Sequence, residues 1–133
     1  MTLNTLDLVL LLAASQAVFL GILILQKYPG LVANRILGIM MLLYATILGH
    51  NLAVELGYFN RFPHLLLVPL GFTLLAAPLH YFYARFLTHP DARFGRKDWL
   101  HALPALLYWL AISPDFAVSA QDLNARLSVA AET

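Results

Sequence analysis

Residues 6–25 read LDLVLLLAASQAVFLGILIL, twenty positions broken only by Asp7, Ser15 and Gln16. At 1.5 Å of rise per residue such a run makes a helix of about 30 Å, the thickness of a bilayer's hydrocarbon core. No Lys or Arg precedes it, and it ends in Gln26-Lys27-Tyr28-Pro29 rather than in small residues. It therefore reads as a retained membrane anchor and not as a cleaved signal peptide.

Two further apolar runs follow, over residues 36–56 and 65–86, and a fourth over 99–118. Pro29-Gly30 and Gly57 punctuate the first two, and the polar stretch 88–98 separates the third from the fourth. Fifteen residues from Trp99 to Ser113 reach only about 22 Å, so the fourth span needs continuation past Pro114 to Val118 to cross. Pro78 lies inside the third run, where it deprives the Leu74 carbonyl of its helical donor and predicts a kink. The expected fold is all-α, a polytopic bundle of four transmembrane spans over residues 1–118 with a polar outward tail over 119–133.

Composition agrees. Of 133 residues, 61% are hydrophobic and 11% charged, with a mean hydropathy of +0.75, against roughly half and a quarter in a soluble domain. A net charge of +1 supplies no basic field for phosphate backbones, so this segment is not expected to bind nucleic acid directly. The absence of cysteine excludes disulfides, thiolate metal sites and thiol nucleophiles. No Gly-rich phosphate loop, nucleophile elbow or metal-binding helix motif is present. No enzymatic role, cofactor or metal is expected.

Lys27 and Arg35 flank the first connection, Arg61 lies in the second, and Arg85, Arg93, Arg96 and Lys97 surround the third, with Arg126 in the tail. The positive-inside rule then puts the first and third connections in the cytoplasm and the amino terminus outside. Within the spans, small residues at spacing four mark helix-contact faces: Ala13, Ala17 and Gly21; then Ala45, Gly49, Ala53 and Gly57; then Thr73 and Ala77 with His80 and Ala84. His80 is expected to donate a hydrogen bond to a neighbouring helix. A second polar group gathers at the outer end, where Asp7, His50, Asn51, Glu55 and His64 approach from three helices. Ionisable residues at membrane depth are functional candidates, and Glu55 with Asn51 and His50 is the expected floor of a ligand pocket. The basic loop is a topological anchor attracted to anionic lipid.

Three stretches carry a family resemblance: Ala33-Asn34-Arg35-Ile36-Leu37, Ala77-Pro78-Leu79-His80-Tyr81-Phe82-Tyr83-Ala84-Arg85-Phe86-Leu87, and Trp99-Leu100-His101-Ala102-Leu103-Pro104 leading to Tyr108. Together they resemble the amino-terminal membrane sensor of AraC-type transcriptional regulators, over most of residues 8–114. Members often carry Gly-Pro where this chain has Ala77-Pro78. The resemblance implies a bacterial inner-membrane protein, the front part of a seven-helix sensor preceding a cytoplasmic helix-turn-helix domain, or else a truncated product or stand-alone relative. Its expected partners are the lipid bilayer, a small-molecule or peptide signal, and following helices or a second copy. From another class, a small transporter subunit would use Glu55 and the histidines to line a substrate or proton path.

Overall fold

The computed structural model describes residues 4–28, 30–60, 63–89, 91–114 and 122. Among them every regular element is helical: α1 (Thr5–Lys27), α2 (Val32–Glu55), α3 (Val68–Thr88) and α4 (Leu103–Ile112), with 3₁₀ turns at Tyr58–Asn60, Pro63–Leu66 and Arg96–Ala102. Helices adjacent in sequence pack on one another in order.

α1 starts where Asn4 and Asp7 cap each other. The Asp7 N–H donates to Asn4 Oδ1 at 2.9 Å, and the Asn4 N–H donates to Asp7 Oδ2 at 2.8 Å, which satisfies two of the amides a helix start leaves open. α1 and α2 are each long and apolar enough to cross a membrane. Only 11% of the apolar α1 window is buried, with Leu12 at 60% and Phe19 at 64% exposure. A soluble core helix would be covered; this one presents its apolar surface to whatever surrounds the chain.

The α1–α2 hairpin closes through glycines. A Cβ on Gly21 would lie 3.1 Å from the Gly38 carbonyl oxygen, and one on Gly38 would lie 3.2 Å from the Gly21 carbonyl oxygen. Gly21 was expected on the contact face; Gly38 was not. Gly49, expected there, meets nothing within 4 Å of an added Cβ. Ala45 is buried and Ala53 half-buried. Gly57 serves instead as the stop of α2, with φ of 74° and its N–H donating to the Val54 carbonyl at 2.9 Å.

Two prolines reset the expected helix starts. Pro69 and Pro104 stand in the first turns of α3 and α4, the one place in a helix where a missing N–H costs nothing. α3 therefore begins at Val68 rather than 65. The α-helical part of the fourth run begins at Leu103 rather than 99 and covers ten residues, about 15 Å. The seven residues before it wind as 3₁₀, and the expected continuation over 115–118 lies outside the described residues, as does the 119–133 tail apart from residue 122. α3 runs unbroken through Pro78. Where α2 meets α3, Ala33, Ile36 and Met40 pack with Phe82 and Phe86 in the buried cluster of the molecule.

Candidate functional site

The basic loop after α3 is held by a single carboxylate. Asp98 accepts from Arg85 Nη1 at 3.0 Å and 3.1 Å through its two oxygens, and from the Gly95 N–H at 2.8 Å. Arg85 Nη2 also donates to the Arg93 carbonyl at 3.3 Å. The Gly95 amide first, and the Arg85 guanidinium with it, hold the Asp98 carboxyl below its ordinary range. This clasp folds residues 93–98 back over the end of α3. Phe94 is thereby set against Phe82 and Phe86, with ring centroids 5.3 Å and 4.7 Å away.

The folded-back loop roofs a cavity. Its walls are the first turns of α2 (Ile36, Ile39), the middle of α3 (Leu75, Pro78) and the loop itself (Phe94, Trp99), and it is half open, with a volume of about 490 Å³. Sites for small organic ligands occupy about 300–1,000 Å³ and are mainly apolar with few polar groups. Among the described residues, the charged side chains in the lining are Arg35 and Asp98. Trp99 stands at the opening, 78% exposed. No local sequence motif announces this site. The signals available in the sequence were Pro78 and the aromatic residues bracketing the basic loop.

A polar link crosses from α2 to α3 nearby. His80 Nδ1 lies 2.7 Å from the Ala76 carbonyl oxygen, and Nε2 lies 3.1 Å from the Tyr44 hydroxyl. A carbonyl only accepts, so Nδ1 carries the proton and, in the neutral ring, Nε2 accepts from the Tyr44 O–H. His80 is thus the acceptor across the helices, the reverse of the expected donor. Thr73, Ala77, His80 and Ala84 are all exposed, and of this stripe His80 meets α2 through Tyr44. At the other end of α3, the Tyr108 hydroxyl donates to the Leu67 carbonyl at 2.7 Å and Trp109 Nε1–H to the Val68 carbonyl at 3.1 Å. Gly71 makes room for the Trp109 indole.

Asp7, His50, Asn51 and Glu55, expected with His64 at an outer pocket, lie at the end of the hairpin away from this cavity. With Gly21 against Gly38 and Leu42 in an antiparallel pair, equal rise sets Asp7 level with residues 52–56, at the end of the hairpin away from the cavity. Asn51 and Glu55 are exposed there, and no hydrogen bond or ion pair among the described residues joins them to Asp7. His50 is half-buried and tilts against Phe59 with centroids 4.6 Å apart. The side chain of His64 lies outside the described residues. Asp7 is 4% exposed and, beyond its capping bond, its Oδ1 has no hydrogen-bond partner. Among the described residues no three His, Asp or Glu side chains gather as a metal site. Comparison with known proteins returns no matching family model, no matching curated protein and no matching solved structure.

Proposed function

We propose that this chain is a membrane-embedded sensing module, the front part of a transcriptional regulator resembling the AraC type, with the α2–α3 cavity as its signal site. All four helical runs cross or enter a bacterial inner membrane. The amino terminus lies outside, and the connections after α1 and α3 lie in the cytoplasm. The observation that carries the reading is the cavity. Its walls come from three elements, and one of them is α3 at the residue where its hydrogen-bond ladder is interrupted. A molecule seated there touches α2, Pro78 and the clasped loop together, so it favours one spacing of these elements over others, which is what coupling requires. The exposed apolar surface of α1 and the basic loop support the placement in the membrane.

The test uses the full-length regulator and a reporter promoter. Ala102 lines the cavity, and Ala102→Phe fills it. The variant is expected to flatten the dose–response while inserting normally. Insertion is read from single cysteines in the cysteine-free chain: Thr5→Cys reacts with an impermeant maleimide from outside, and Gly95→Cys only after permeabilisation. A response unchanged by the filled cavity removes the reading, as does a gene with no helix-turn-helix coding sequence after these 133 residues or beside them.

A further inference from the structure

We propose that the cavity is a site for an anionic phospholipid of the surrounding leaflet, one acyl chain lodged between α2 and α3 and the phosphate held at the basic rim. The proposal rests on the cavity being the binding site and names the ligand class it takes.

The chain slot follows from the walls. Ile36, Ile39, Leu75, Leu79 and Phe82 offer only hydrocarbon. From Phe82 to Leu75 along α3 is about 10 Å, so the slot runs with the helix axis, as an acyl chain does. The two charged lining residues, Arg35 and Asp98, mark the other end. The Asp98 charge is already paired with Arg85, which bonds both of its oxygens, and one oxygen also accepts from the Gly95 amide. Around that end the chain carries six cations, Lys27, Arg35, Arg85, Arg93, Arg96 and Lys97, against two carboxylates, Asp91 and Asp98. Arg93, Arg96 and Lys97 are exposed. The rim is therefore complementary to an anion, and basic pockets beside apolar helices on the cytoplasmic side are a recurring arrangement for phospholipid headgroups. Trp99 at the mouth suits the headgroup level. Polar rim and apolar depth thus have the order and direction of a lipid in its own leaflet, which a soluble ligand does not need.

The two tryptophans make the test internal. Trp99 lines the cavity, whereas Trp109 packs at the far end of α3 against Gly71 and Phe72. The 133-residue chain is placed in nanodiscs of phosphatidylcholine and phosphatidylglycerol, with brominated acyl chains on one lipid or the other, and contact quenching is read from Trp109→Phe and Trp99→Phe variants. The expected result is at least fivefold preference for phosphatidylglycerol at Trp99 and none at Trp109. Arg35→Gln is expected to reduce the preference about fivefold, the worth of one cation near the membrane surface. Ala102→Phe keeps every rim charge and is expected to abolish it. Four results overturn the proposal. Preference that survives Ala102→Phe is diffuse attraction to the loop. Equal quenching by the two lipids leaves an apolar slot without a headgroup site. Tighter quenching by a brominated fatty acid assigns the slot to a single-chain acid. A disulfide between Ile39→Cys and Val118→Cys without quenching assigns it to the chain's own carboxyl-terminal segment. If the lipid preference fails while Ala102→Phe still silences the reporter, the ligand class is wrong and the sensing site stands.

Discussion

Replacing Gly38 by alanine tests whether α1 and α2 meet backbone to backbone. The added Cβ would stand 2.6 Å from Leu25 Cγ, 2.9 Å from Leu25 Cδ2 and 3.2 Å from the Gly21 carbonyl oxygen. Leu25 must leave its rotamer to clear both carbons, and the Gly21 carbonyl is backbone, so the helices must also part by a few tenths of an ångström. Forced overpacking of this kind costs about 1–3 kcal/mol, while glycine to alanine inside a helix returns about 1 kcal/mol. Gly49 sits in the same helix with nothing within 4 Å of an added Cβ. Gly49→Ala therefore keeps the propensity gain and meets no clash. Comparing the two variants cancels propensity and leaves the clash alone, an expected difference of about 1–3 kcal/mol. The assay is reversible unfolding in mixed micelles, followed by tryptophan fluorescence. Equal unfolding free energies for Gly38→Ala and Gly49→Ala would refute the close crossing at Gly21 and Gly38.

Acid should open the loop clasp. The Asp98 pKa is lowered on folding from 3.8, so its contribution is complete above 3.8 and is lost as pH falls through the lower folded value; Gly95 amide exchange should accelerate there beyond its intrinsic rate, and Asp98→Asn should remove that pH dependence. Tyr44→Phe deletes the donor to His80 and should cost about 0.6 kcal/mol, the average for hydrogen bonds between membrane helices; zero coupling in a double-mutant cycle with His80→Phe would deny the bond. Gly71→Ala drives a methyl into the Trp109 indole and should shift Trp109 emission and expose α4 to protease, whereas an unchanged spectrum contradicts the α3–α4 packing.

The helices were legible because their signal is local. A run of twenty positions broken by only three polar residues is long enough to cross a bilayer as a helix, and the expected bounds 6–25 and 36–56 became Thr5–Lys27 and Val32–Glu55. What sequence spacing missed was the partner's side of each contact. The stripe of Ala45, Gly49, Ala53 and Gly57 holds more small residues than the surroundings of Gly38, yet Gly38 makes the close approach. A crossing point depends on where the preceding connection brings α1 down, and no single helix carries that information. Pro104 also lies inside the expected fourth run, and because its missing N–H suits the first turn of a helix, the α-helix begins at Leu103 rather than at 99.

The cavity was illegible for a related reason, and its rim shows why the polar residues drew attention first. A carboxylate or imidazole inside an apolar run is conspicuous, so Glu55, Asn51 and His50 stood out, although Asn51 and Glu55 lie exposed. The cavity is built mostly from ordinary residues: Ile39, Leu75, Pro78 and Phe94 come from three separate stretches, and of these only Pro78 stands out in its own. Only the fold, with Arg85 pulling Asp98 and the loop back over α3, makes a site of them. The loop that does this holds Arg93, Arg96 and Lys97, whose count also favoured a cytoplasmic side. One set of cations can then act twice. On the proposed membrane reading it orients the chain during insertion, and once Arg85 clasps the loop the same charge surrounds the mouth of the cavity. On that reading orientation and headgroup preference are coupled, and Arg85→Gln separates them: it should leave the amino terminus outside, since three loop cations remain, while releasing the loop and erasing the proposed lipid preference at Trp99.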